Sequence, residues 1–324
     1  MVARLESKAL FQGIDKPVSD LALGTAFYRS GEKEKWLGIL DDFLERGGTV
    51  MDTASAYGDS EAVIGEWLEA RRARDQMIII TKCASGEDSI LPGENFEEVV
   101  TRESEQSLES LRTDYIDVYM LHRDNPAVPV GRILDRLNQE LDWGRVHALG
   151  ASNWTYSGID EANAYAQKHS LGGFGVVSNN LSLGDAAGPF YRGLVSTDTS
   201  GERWHQQTGI PLVPWSSQAA GFFTGRYTPA MRDQRDSIED PFTRRMVEIY
   251  CTDENFERLR RAQTLGKKKG SYSAVQIALG WLLHKSFAVV PIVGPHTREK
   301  LASCVDAVSL ELTDAELGWL NLEE

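Results

Sequence analysis

Cysteine and long apolar runs are scarce in this sequence of 324 residues. Its three cysteines, Cys83, Cys251 and Cys304, form no CxxC pair and cannot build an even disulfide framework, so we expect reduced thiols. No apolar stretch approaches the roughly 18 residues that a membrane-spanning helix needs. The first residues, MVARLESKALF, lack the apolar core and the cleavage site of a secretion signal. These absences predict a cytoplasmic protein with no membrane partner.

Patterns for binding metals or nucleic acids are also missing. The six histidines occur without HExxH or HxH spacing, so we expect no metal site. The formal net charge of −14 argues against nucleic acid, because phosphate backbones bind clustered lysine and arginine. The basic run at residues 267–269 precedes Gly270, and this arrangement is typical of a helix C-terminus.

The chain does contain a regular alternation of apolar runs and amphipathic segments. Near-continuous Val, Ile and Leu is typical of strands that are buried on both faces of a parallel sheet. Eight such runs occur, at residues 20–25, 49–53, 77–82, 115–122, 146–152, 174–179, 210–215 and 288–294. Segments with helical periodicity lie between them, and Ser60 and Asn95 are helix-start signals. The pattern predicts an α/β fold, a (β/α)8 TIM barrel formed by residues 1–324 as a single domain, with residues 1–17 across its bottom.

A doubly wound sheet also alternates strands and helices, and the ends of the apolar runs decide between the two folds. Each run ends on a residue that can take part in a site: Thr25, Asp52, Lys82, His122, Ser152, Ser178, Trp215 and Gly294. In a closed barrel these ends converge on one face, whereas an open sheet would spread them apart. The barrel is therefore favoured. Residues 216–253, rich in Gly, Pro and charge, predict a long loop after the seventh strand that covers the site.

Four residues at the ends of consecutive strands have the chemistry of a proton donor. Tyr57 follows Asp52 by five positions, and Lys82 and His122 end the next two apolar runs. A phenol is a poor donor at neutral pH, but an ammonium within about 4 to 6 Å lowers its pKa by roughly 1 to 3 units. We expect Lys82 to supply that charge, Asp52 to orient Lys82, and His122 to donate to a substrate oxygen. The alternative is a purely structural ion pair beside a hydrogen-bonded tyrosine and histidine.

The sequence resembles the aldo-keto reductase superfamily from the first predicted strand to the last. The matching segments are residues 23–28, 50–68, 80–83, 119–124, 148–154, 213–226 and 291–301. The most specific part is the DxxxxY pattern together with Lys82 and His122. The resemblance implies an oxidoreductase that moves a hydride between nicotinamide and a carbonyl or alcohol. It implies Tyr57 as general acid or base, tuned by Asp52 and Lys82, with His122 orienting the carbonyl.

The resemblance also implies a cofactor site at the strand ends. It places the nicotinamide carboxamide against Ser152, Asn153 and Ser178, and the nicotinamide ring against Trp215. It implies contacts to the rest of the cofactor from three further segments: Gly24, Thr25 and Ala26; Ser216, Gln218, Gly221 and Arg226; Gly294, His296, Thr297, Arg298 and Lys300. The cations of the last segment favour NADPH, with NADH as the alternative. Ser178 and Trp215 depart from the glutamine and tyrosine common in the superfamily, so the chemistry is better supported than the cofactor preference.

Aromatic residues on the loops predict the substrate pocket. Its mouth is expected to be lined by Phe27, Tyr28, Trp154, Phe222 and Phe223, which suit a sugar, a steroid-like ring or an aromatic aldehyde equally. Reduction of an aldehyde or ketone is the first interpretation, and oxidation of a sugar hydroxyl or reduction of a keto-sugar is the second. A third, from another class, is a regulatory subunit that holds the cofactor with little turnover, as in the potassium-channel beta subunits. No feature of the sequence indicates an oligomeric state.

Overall fold

A curled parallel sheet surrounded by helices forms the protein in the computed structural model, which describes residue 5 and residues 11–85 and 95–323. The strands of this part of the chain are β1 Ala22–Gly24, β2 Val50–Asp52, β3 Ile78–Cys83, β4 Ile116–Leu121, β5 Val146–Ser152, β6 Phe174–Ser178 and β7 Ile292–Val293. The helices are α1 Lys33–Glu45, α2 Ser60–Arg71, α3 Phe96–Leu111, α4 Val130–Asp142, α5 Tyr156–His169, α6 Thr199–Thr208, α7 Pro229–Asp233, α8 Pro241–Tyr250, α9 Asp253–Lys268, α10 Ala274–Leu283, α11 Arg298–Asp306 and α12 Asp314–Leu320. The strand order is β6-β5-β4-β3-β2-β1-β7. The predicted α/β fold with a parallel sheet is confirmed.

The segment predicted as the seventh of eight strands forms only isolated bridges. Leu212 makes parallel bridges to Val177 of β6 and to Val289. Its neighbour Val213 donates a backbone hydrogen bond to Val177 O at 2.8 Å. Pro211 and Pro214 flank this short contact, and proline removes a backbone donor from a strand. The described residues therefore form a seven-stranded sheet whose two outer strands are both bonded to the segment at residues 211–214.

Strand register brings the predicted site residues to one edge of the sheet. Gly24 lies opposite Asp52, and Ser152 lies opposite Ser178. Lys82 lies one residue from the end of β3, and all strand pairs are parallel. The carboxyl ends of the strands therefore meet, as in sheets that carry their sites at this edge.

Two apolar clusters pack on the sheet. The smaller joins alternate strand residues, among them Val50, Ile80 and Val118, to Phe11. The larger joins the intervening strand residues to the helices, as the two-residue period of a strand requires. Lys16 donates to Met77 O and to Asp117 at 2.7 Å each, at the amino ends of β3 and β4. Residues 11–17 thus pack where the bottom was predicted, and the other residues of that prediction, apart from Leu5, lie outside the described ranges.

The connection at residues 216–253, predicted as a long loop, is largely helical. It contains a 3-10 turn at Ala219–Thr224, helix α7, a 3-10 turn at Arg235–Ser237 and helix α8. Both α-helices begin with a proline after a capping residue, Thr228 or Asp240. Proline at the first position of a helix is a start signal, although proline and glycine also predict loops.

The two predicted helix-start signals have different outcomes. Asn95 caps α3 by accepting from Glu98 N at 3.0 Å, while Glu98 accepts from Asn95 N at 2.8 Å, which is a capping box. Ser60 is the first residue of α2 and makes no cap. Its buried hydroxyl instead hydrogen-bonds with Thr25 at 2.7 Å and with Thr53 at 2.9 Å. Ser60 therefore links the ends of β1 and β2 below the site.

Three features bear on the class of protein. Within residues 11–85 and 95–323, no helix combines the length and the apolar character of a membrane span. In the same ranges, no group of three or more His, Cys, Asp or Glu side chains is arranged to hold a metal ion. Cys83, Cys251 and Cys304 are buried free thiols.

Candidate active site

A cavity of about 950 Å³ lies at the carboxyl edge of the sheet. Its base holds Tyr57 from the connection after β2, Lys82 near the end of β3, and His122 directly after β4. Ser152, Asn153 and Trp215 line it as well. The remaining walls come from the connections after β2, β3, β4, β5 and β6 and from α3: Ala56, Ala84, Ser85, Phe96, Val99, Arg123, Asp124, Asn125, Pro126, Thr155, Tyr191, Arg192, Gly193, Leu194 and Val195.

Lys82 and Asp52 form a buried ion pair below the cavity. The distance from Lys82 Nζ to Asp52 Oδ2 is 2.5 Å, and the side chains are 3% and 5% exposed. Lys82 also donates to Thr53 O at 2.8 Å. Burial lowers the pKa of Lys82, but the charges of Asp52 and Tyr57 outweigh burial, so its pKa is raised. Lys82 is therefore a protonated ammonium with a fixed direction.

Tyr57 lies beside this ammonium. Lys82 Nζ is 5.3 Å from the centroid of the Tyr57 ring. Burial raises the pKa of Tyr57 and the ammonium of Lys82 lowers it, and the net direction is upward from the ordinary value of 10.0. Lys82 thus lowers the pKa of Tyr57, as expected. The expected net lowering of this pKa is wrong, because the opposing effect of desolvation is larger. At neutral pH Tyr57 therefore carries its proton, as a donor must.

His122 completes the group at the base of the cavity. Its ring meets the Tyr57 ring edge to face, with centroids 5.5 Å apart. Burial lowers the pKa of His122 to about 3, and the charges of Lys82 and Arg123 act in the same direction. The ring is therefore neutral at physiological pH. Its buried Nδ1 has no hydrogen-bond partner among the described residues, so this nitrogen is available to hydrogen-bond with a ligand.

The three residues expected to hold the carboxamide lie together. Ser152 Oγ donates to Ser178 O at 2.9 Å, and Asn153 Nδ2 donates to His122 O at 3.1 Å. Asn153 Oδ1 accepts from Trp215 Nε1 at 3.1 Å, which fixes the indole at the cavity wall. The Ser178 hydroxyl is buried without a partner in the described part of the chain. An unsatisfied buried hydroxyl next to a second hydroxyl and a side-chain amide fits a polar ligand such as a carboxamide.

The turn after Trp215 has unusual backbone geometry. Ser216, Ala219 and Ala220 have φ values of 52°, 50° and 48°, and Gly221 has 84°. Left-handed conformations cost free energy in non-glycine residues and cluster at ligand-binding turns. Of the expected pyrophosphate residues, Gln218 donates to Cys304 Sγ at 3.4 Å. Arg226 lies over the Tyr227 ring at 4.9 Å.

The expected adenosine segment holds fewer free cations than its sequence suggested. Arg298 is paired with Asp42, with Nε 2.7 Å from Oδ2 and a second contact through Nη2. Because Asp42 already pairs with its charge, Arg298 is a weaker candidate for binding a 2′-phosphate. Thr297 caps α11 by accepting from Lys300 N at 3.3 Å, and the side chain of Lys300 is exposed.

The neighbouring positions of this segment are open. His296 lies 5.1 Å from the Phe27 ring, and burial and two lysines lower its pKa. Gly294 is exposed, and a Cβ there would meet nothing within 4 Å. Lys300 is therefore an exposed cation of the segment with no carboxylate partner in the described structure, and His296 is an exposed ring whose lowered pKa favours the neutral form.

The residues after β1 support Asp52. Thr25 is fully buried, and its amide and hydroxyl donate to Asp52 O at 3.0 and 2.9 Å. A Cβ at Gly24 would lie 2.6 Å from Ile292 Cγ2, so glycine is needed where β1 meets β7. Ala26 is half-buried, and its carbonyl accepts from Arg29 at 2.9 Å. Gly24 and Thr25 thus have structural roles that the sequence did not reveal.

The aromatic residues expected at the mouth do not line the cavity. Tyr28, Trp154, Phe222 and Phe223 are buried in the larger apolar cluster. Phe27 is 57% exposed but packs against His296. The prediction is therefore wrong for the four buried residues, because position on a loop does not tell whether a ring turns toward the cavity or toward the core. Tyr28, for example, stacks on Trp36 with centroids 4.5 Å apart.

The true walls of the cavity come largely from residues that the sequence did not single out. Tyr191 and Leu194 lie in the connection between β6 and α6, and Arg123 and Asn125 follow β4. Residues 179–198 form a long connection, and such connections often carry binding residues. Their length between two predicted elements was the signal that could have found them.

A second tyrosine–histidine pair lies outside the cavity. Tyr156 OH and His205 Nε2 are 3.2 Å apart, between α5 and α6. His205 Nδ1 is 2.6 Å from Ile210 O, and Tyr156 OH is 2.7 Å from Thr197 Oγ1. Both rings are saturated with local partners, so this pair holds the two helices together.

Comparison with known proteins agrees with this geometry. A sequence model described as the Aldo/keto reductase family matches residues 20–321. The norsolorinic acid reductase of Emericella nidulans is 30% identical over 321 residues, covering 93% of this chain and 76% of the relative. A putative aryl-alcohol dehydrogenase of Saccharomyces cerevisiae is 28% identical, covering 94% and 82%. An aryl-alcohol dehydrogenase [NADP(+)] of Phanerodontia chrysosporium is 27% identical, covering 90% and 76%.

The match runs through the strands, the cavity and the carboxyl-terminal helices. The resemblance seen in the sequence is thereby confirmed. The chain belongs to the aldo/keto reductase family.

Proposed function

We propose that the protein is an NADPH-dependent oxidoreductase that interconverts a carbonyl compound and its alcohol, with reduction of an aldehyde or ketone as the main reaction. The observation that carries the proposal is the convergence of Tyr57, Lys82 and His122 on one cavity in a chain of this family. The relatives named as reductases and alcohol dehydrogenases support the same reaction class.

The protein's own residues supply the proton chemistry. The nicotinamide supplies the hydride when bound. Neutral His122 orients the carbonyl by donating a ring N–H to its oxygen. Tyr57 passes its phenolic proton to that oxygen as negative charge develops, and Lys82, held by Asp52, stabilises the phenolate that remains. In the oxidation direction the phenolate accepts the proton instead.

Several features support a nicotinamide cofactor with a 2′-phosphate. The unpartnered Ser178 hydroxyl, with Ser152 and Asn153, fits the carboxamide. The left-handed turn at residues 216–221 fits a pyrophosphate group. His296 and Lys300 offer positive or hydrogen-bonding groups for a 2′-phosphate, and one relative is named for NADP(+).

The barrel itself is the structural part of the proposal. Residues 211–214 are bonded to β6 on one side and to residues 288–292 on the other. We take them as a short eighth strand, which would close a single (β/α)8 barrel. A closed barrel explains why the connections after β2, β3, β4, β5 and β6 and the residue after segment 211–214 all face one cavity.

Turnover assays with matched variants test the proposed reaction. NADPH consumption is followed at 340 nm with 4-nitrobenzaldehyde, methylglyoxal and a keto-sugar. We expect Tyr57→Phe to lower kcat by about 100- to 10,000-fold while NADPH binding is retained. Tyr156→Phe, which removes a hydroxyl outside the cavity, should retain turnover. Equal losses in both variants would contradict the role of Tyr57, and tight binding without any turnover would favour a regulatory subunit.

Tryptophan fluorescence tests the cofactor preference. We expect NADPH to quench at lower concentration than NADH. Trp215→Ala should weaken the quenching, because the Trp215 ring lines the cavity. Trp143→Ala is the matched control, since Trp143 is 54% exposed and lies outside the cavity. Stronger quenching by NADH would contradict the NADPH preference.

A further inference from the structure

We propose that the substrate carries an anionic group, a carboxylate or a phosphate, which Arg123 and Arg192 bind at the cavity wall. This inference rests on the proposed function and names its substrate class. It starts from two guanidinium groups that belong to different connections, one after β4 and one between β6 and α6, and that line the same cavity.

Neither arginine is neutralised by the described protein. Arg123 is half-buried and Arg192 is exposed, and neither makes a hydrogen bond or ion pair with a described residue. Lys82, the other cation of the cavity, is fully paired with Asp52. The surplus positive charge of the described wall therefore comes from the two arginines, in a chain with a net charge of −14.

The one carboxylate of the described wall, Asp124, forms no ion pair with either arginine, and two arginines against one carboxylate leave this wall with a surplus of positive charge. Burial raises the pKa of Asp124, its backbone neighbour Asn125 offers it a hydrogen bond, and repulsion from Glu161 also acts on it. Arg123 instead acts on the reacting groups, since its charge lowers the pKa of both Tyr57 and His122. Arg123 also follows His122 directly in the chain and lines the same cavity, so its guanidinium is placed to orient a substrate whose carbonyl lies at His122.

Part of the cavity wall is apolar. Phe96, Val99 and Leu194 line the cavity together with the ring of Tyr191. A guanidinium fork matches carboxylate and phosphate oxygens in a bidentate manner. The arrangement fits a substrate with a carbonyl at one end, an apolar or aromatic body, and an acidic group at the other end.

Aldehydes of similar shape but different charge test whether the enzyme prefers an anionic substrate. The purified enzyme is assayed with NADPH and 4-formylbenzoate, 4-formylphenyl phosphate and the neutral 4-formylbenzamide. We expect kcat/KM for at least one anion to exceed that for the amide by about 10-fold or more, through KM. Added salt should reduce this ratio, because screening acts on the charged substrate. The preferred anion identifies the group as carboxylate or phosphate.

Variants assign the preference to the two arginines. Arg123→Gln and Arg192→Gln should each lower the anion-to-amide ratio, and the double variant should bring it near one. Arg203→Gln, an exposed cation on α6 outside the cavity, should leave the ratio unchanged. A wild-type ratio near one, or a ratio that survives the double variant, would overturn the inference. Failure to reduce any of the aldehydes, the amide included, would instead count against the proposed function.

We also infer, from a separate set of contacts, that Glu103 is a positioning residue for the proton donor. Glu103 lies on α3 and is 5% exposed. Its Oε2 accepts from Ser55 Oγ at 2.8 Å and from Ala84 N at 3.0 Å. Ser55 in turn donates from its backbone to Lys82 O at 3.1 Å. One carboxylate therefore joins the loop that carries Tyr57 to the strand end that carries Lys82.

These hydrogen bonds predict that Glu103 affects catalysis although it does not touch the substrate. Glu103→Leu should lower kcat by about 10- to 100-fold and shift the alkaline limb of the pH profile, because the distance between Tyr57 and Lys82 is no longer fixed. Glu103→Gln keeps an acceptor oxygen and should restore much of the activity. Ser55→Ala, which removes one donor, should give a milder form of the same shift.

Controls distinguish positioning from general destabilisation. Glu109→Leu changes an exposed glutamate of the same helix and should leave both kcat and the pH profile unchanged. Urea unfolding gives the folded fraction of each variant. If Glu103→Leu and Ser55→Ala alter stability while kcat per folded enzyme and the pH limb stay the same, the positioning role is refuted.

Discussion

The buried pair of Lys82 and Asp52 offers a quantitative test of the site's electrostatics. Three variants remove the charges one at a time and together: Asp52→Asn, Lys82→Met and the double variant. The two side chains are 3% and 5% exposed and 2.5 Å apart, so each charge depends on the other. Asparagine and methionine keep most of the volume of the residues that they replace.

The expected magnitudes follow from the burial of the pair. Each single variant leaves an unpaired buried charge and should lower the free energy of unfolding by about 3 to 5 kcal/mol. The double variant leaves no such charge. It leaves the carbonyl of Thr53, to which Lys82 donates at 2.8 Å, without its donor, which costs about 1 to 3 kcal/mol. The double variant should therefore be more stable than either single variant.

Urea unfolding at neutral pH, followed by tryptophan fluorescence, measures all four proteins. The coupling between the two substitutions is the difference between the double variant and the sum of the single variants. Losses below about 1 kcal/mol in the single variants, or additive losses in the double variant, would refute the interpretation of a charged, mutually dependent pair.

Further predictions concern pH, close packing and helix capping. Because burial raises the pKa of Tyr57, kcat for carbonyl reduction should fall only above about pH 10, and kcat for alcohol oxidation should rise toward that pH. The pKa of His122 is about 3, so neither profile should show a step near pH 6.5 that His122 causes, and such a step would contradict its neutral state. Gly24→Ala should cost about 1 to 3 kcal/mol in urea unfolding, because its Cβ would lie 2.6 Å from Ile292 Cγ2, and no loss would mean that β7 shifts freely. Asn95→Ala should cost about 1 kcal/mol by removing the cap of α3, whereas an unchanged midpoint would show that the cap carries no stability.

The sequence was informative where a residue's role depends on strand order. Asp52, Lys82 and His122 lie at or just after the ends of β2, β3 and β4, and parallel pairing brings such ends together. Apolar runs of strand length predicted these ends, since buried parallel strands have few polar residues. The grouping of these residues with Tyr57 could therefore be predicted before the fold was known.

Features that depend on the balance of opposing effects could not be predicted. Lys82 does lower the pKa of Tyr57, but the larger effect of burial depends on atoms that surround the phenol in three dimensions. Arg298 lies in the expected cofactor segment, yet Asp42, distant in sequence, neutralises it. Phe222 lies on a connection after the sheet but turns into the core. Sequence position fixes neither the partner nor the direction of such side chains.

Following a deuterium label tests the central claim most directly. The enzyme reduces 4-nitrobenzaldehyde with NADPH that is deuterated at the transferable position of C4, and the alcohol is analysed by mass spectrometry and NMR. We expect one deuterium on the carbinol carbon, none at that carbon when only the solvent is deuterated, and a rate that falls sharply in Tyr57→Phe. Label that fails to reach the carbinol carbon, or a Tyr57→Phe rate equal to that of the unaltered protein, would contradict hydride transfer with Tyr57 as the proton donor.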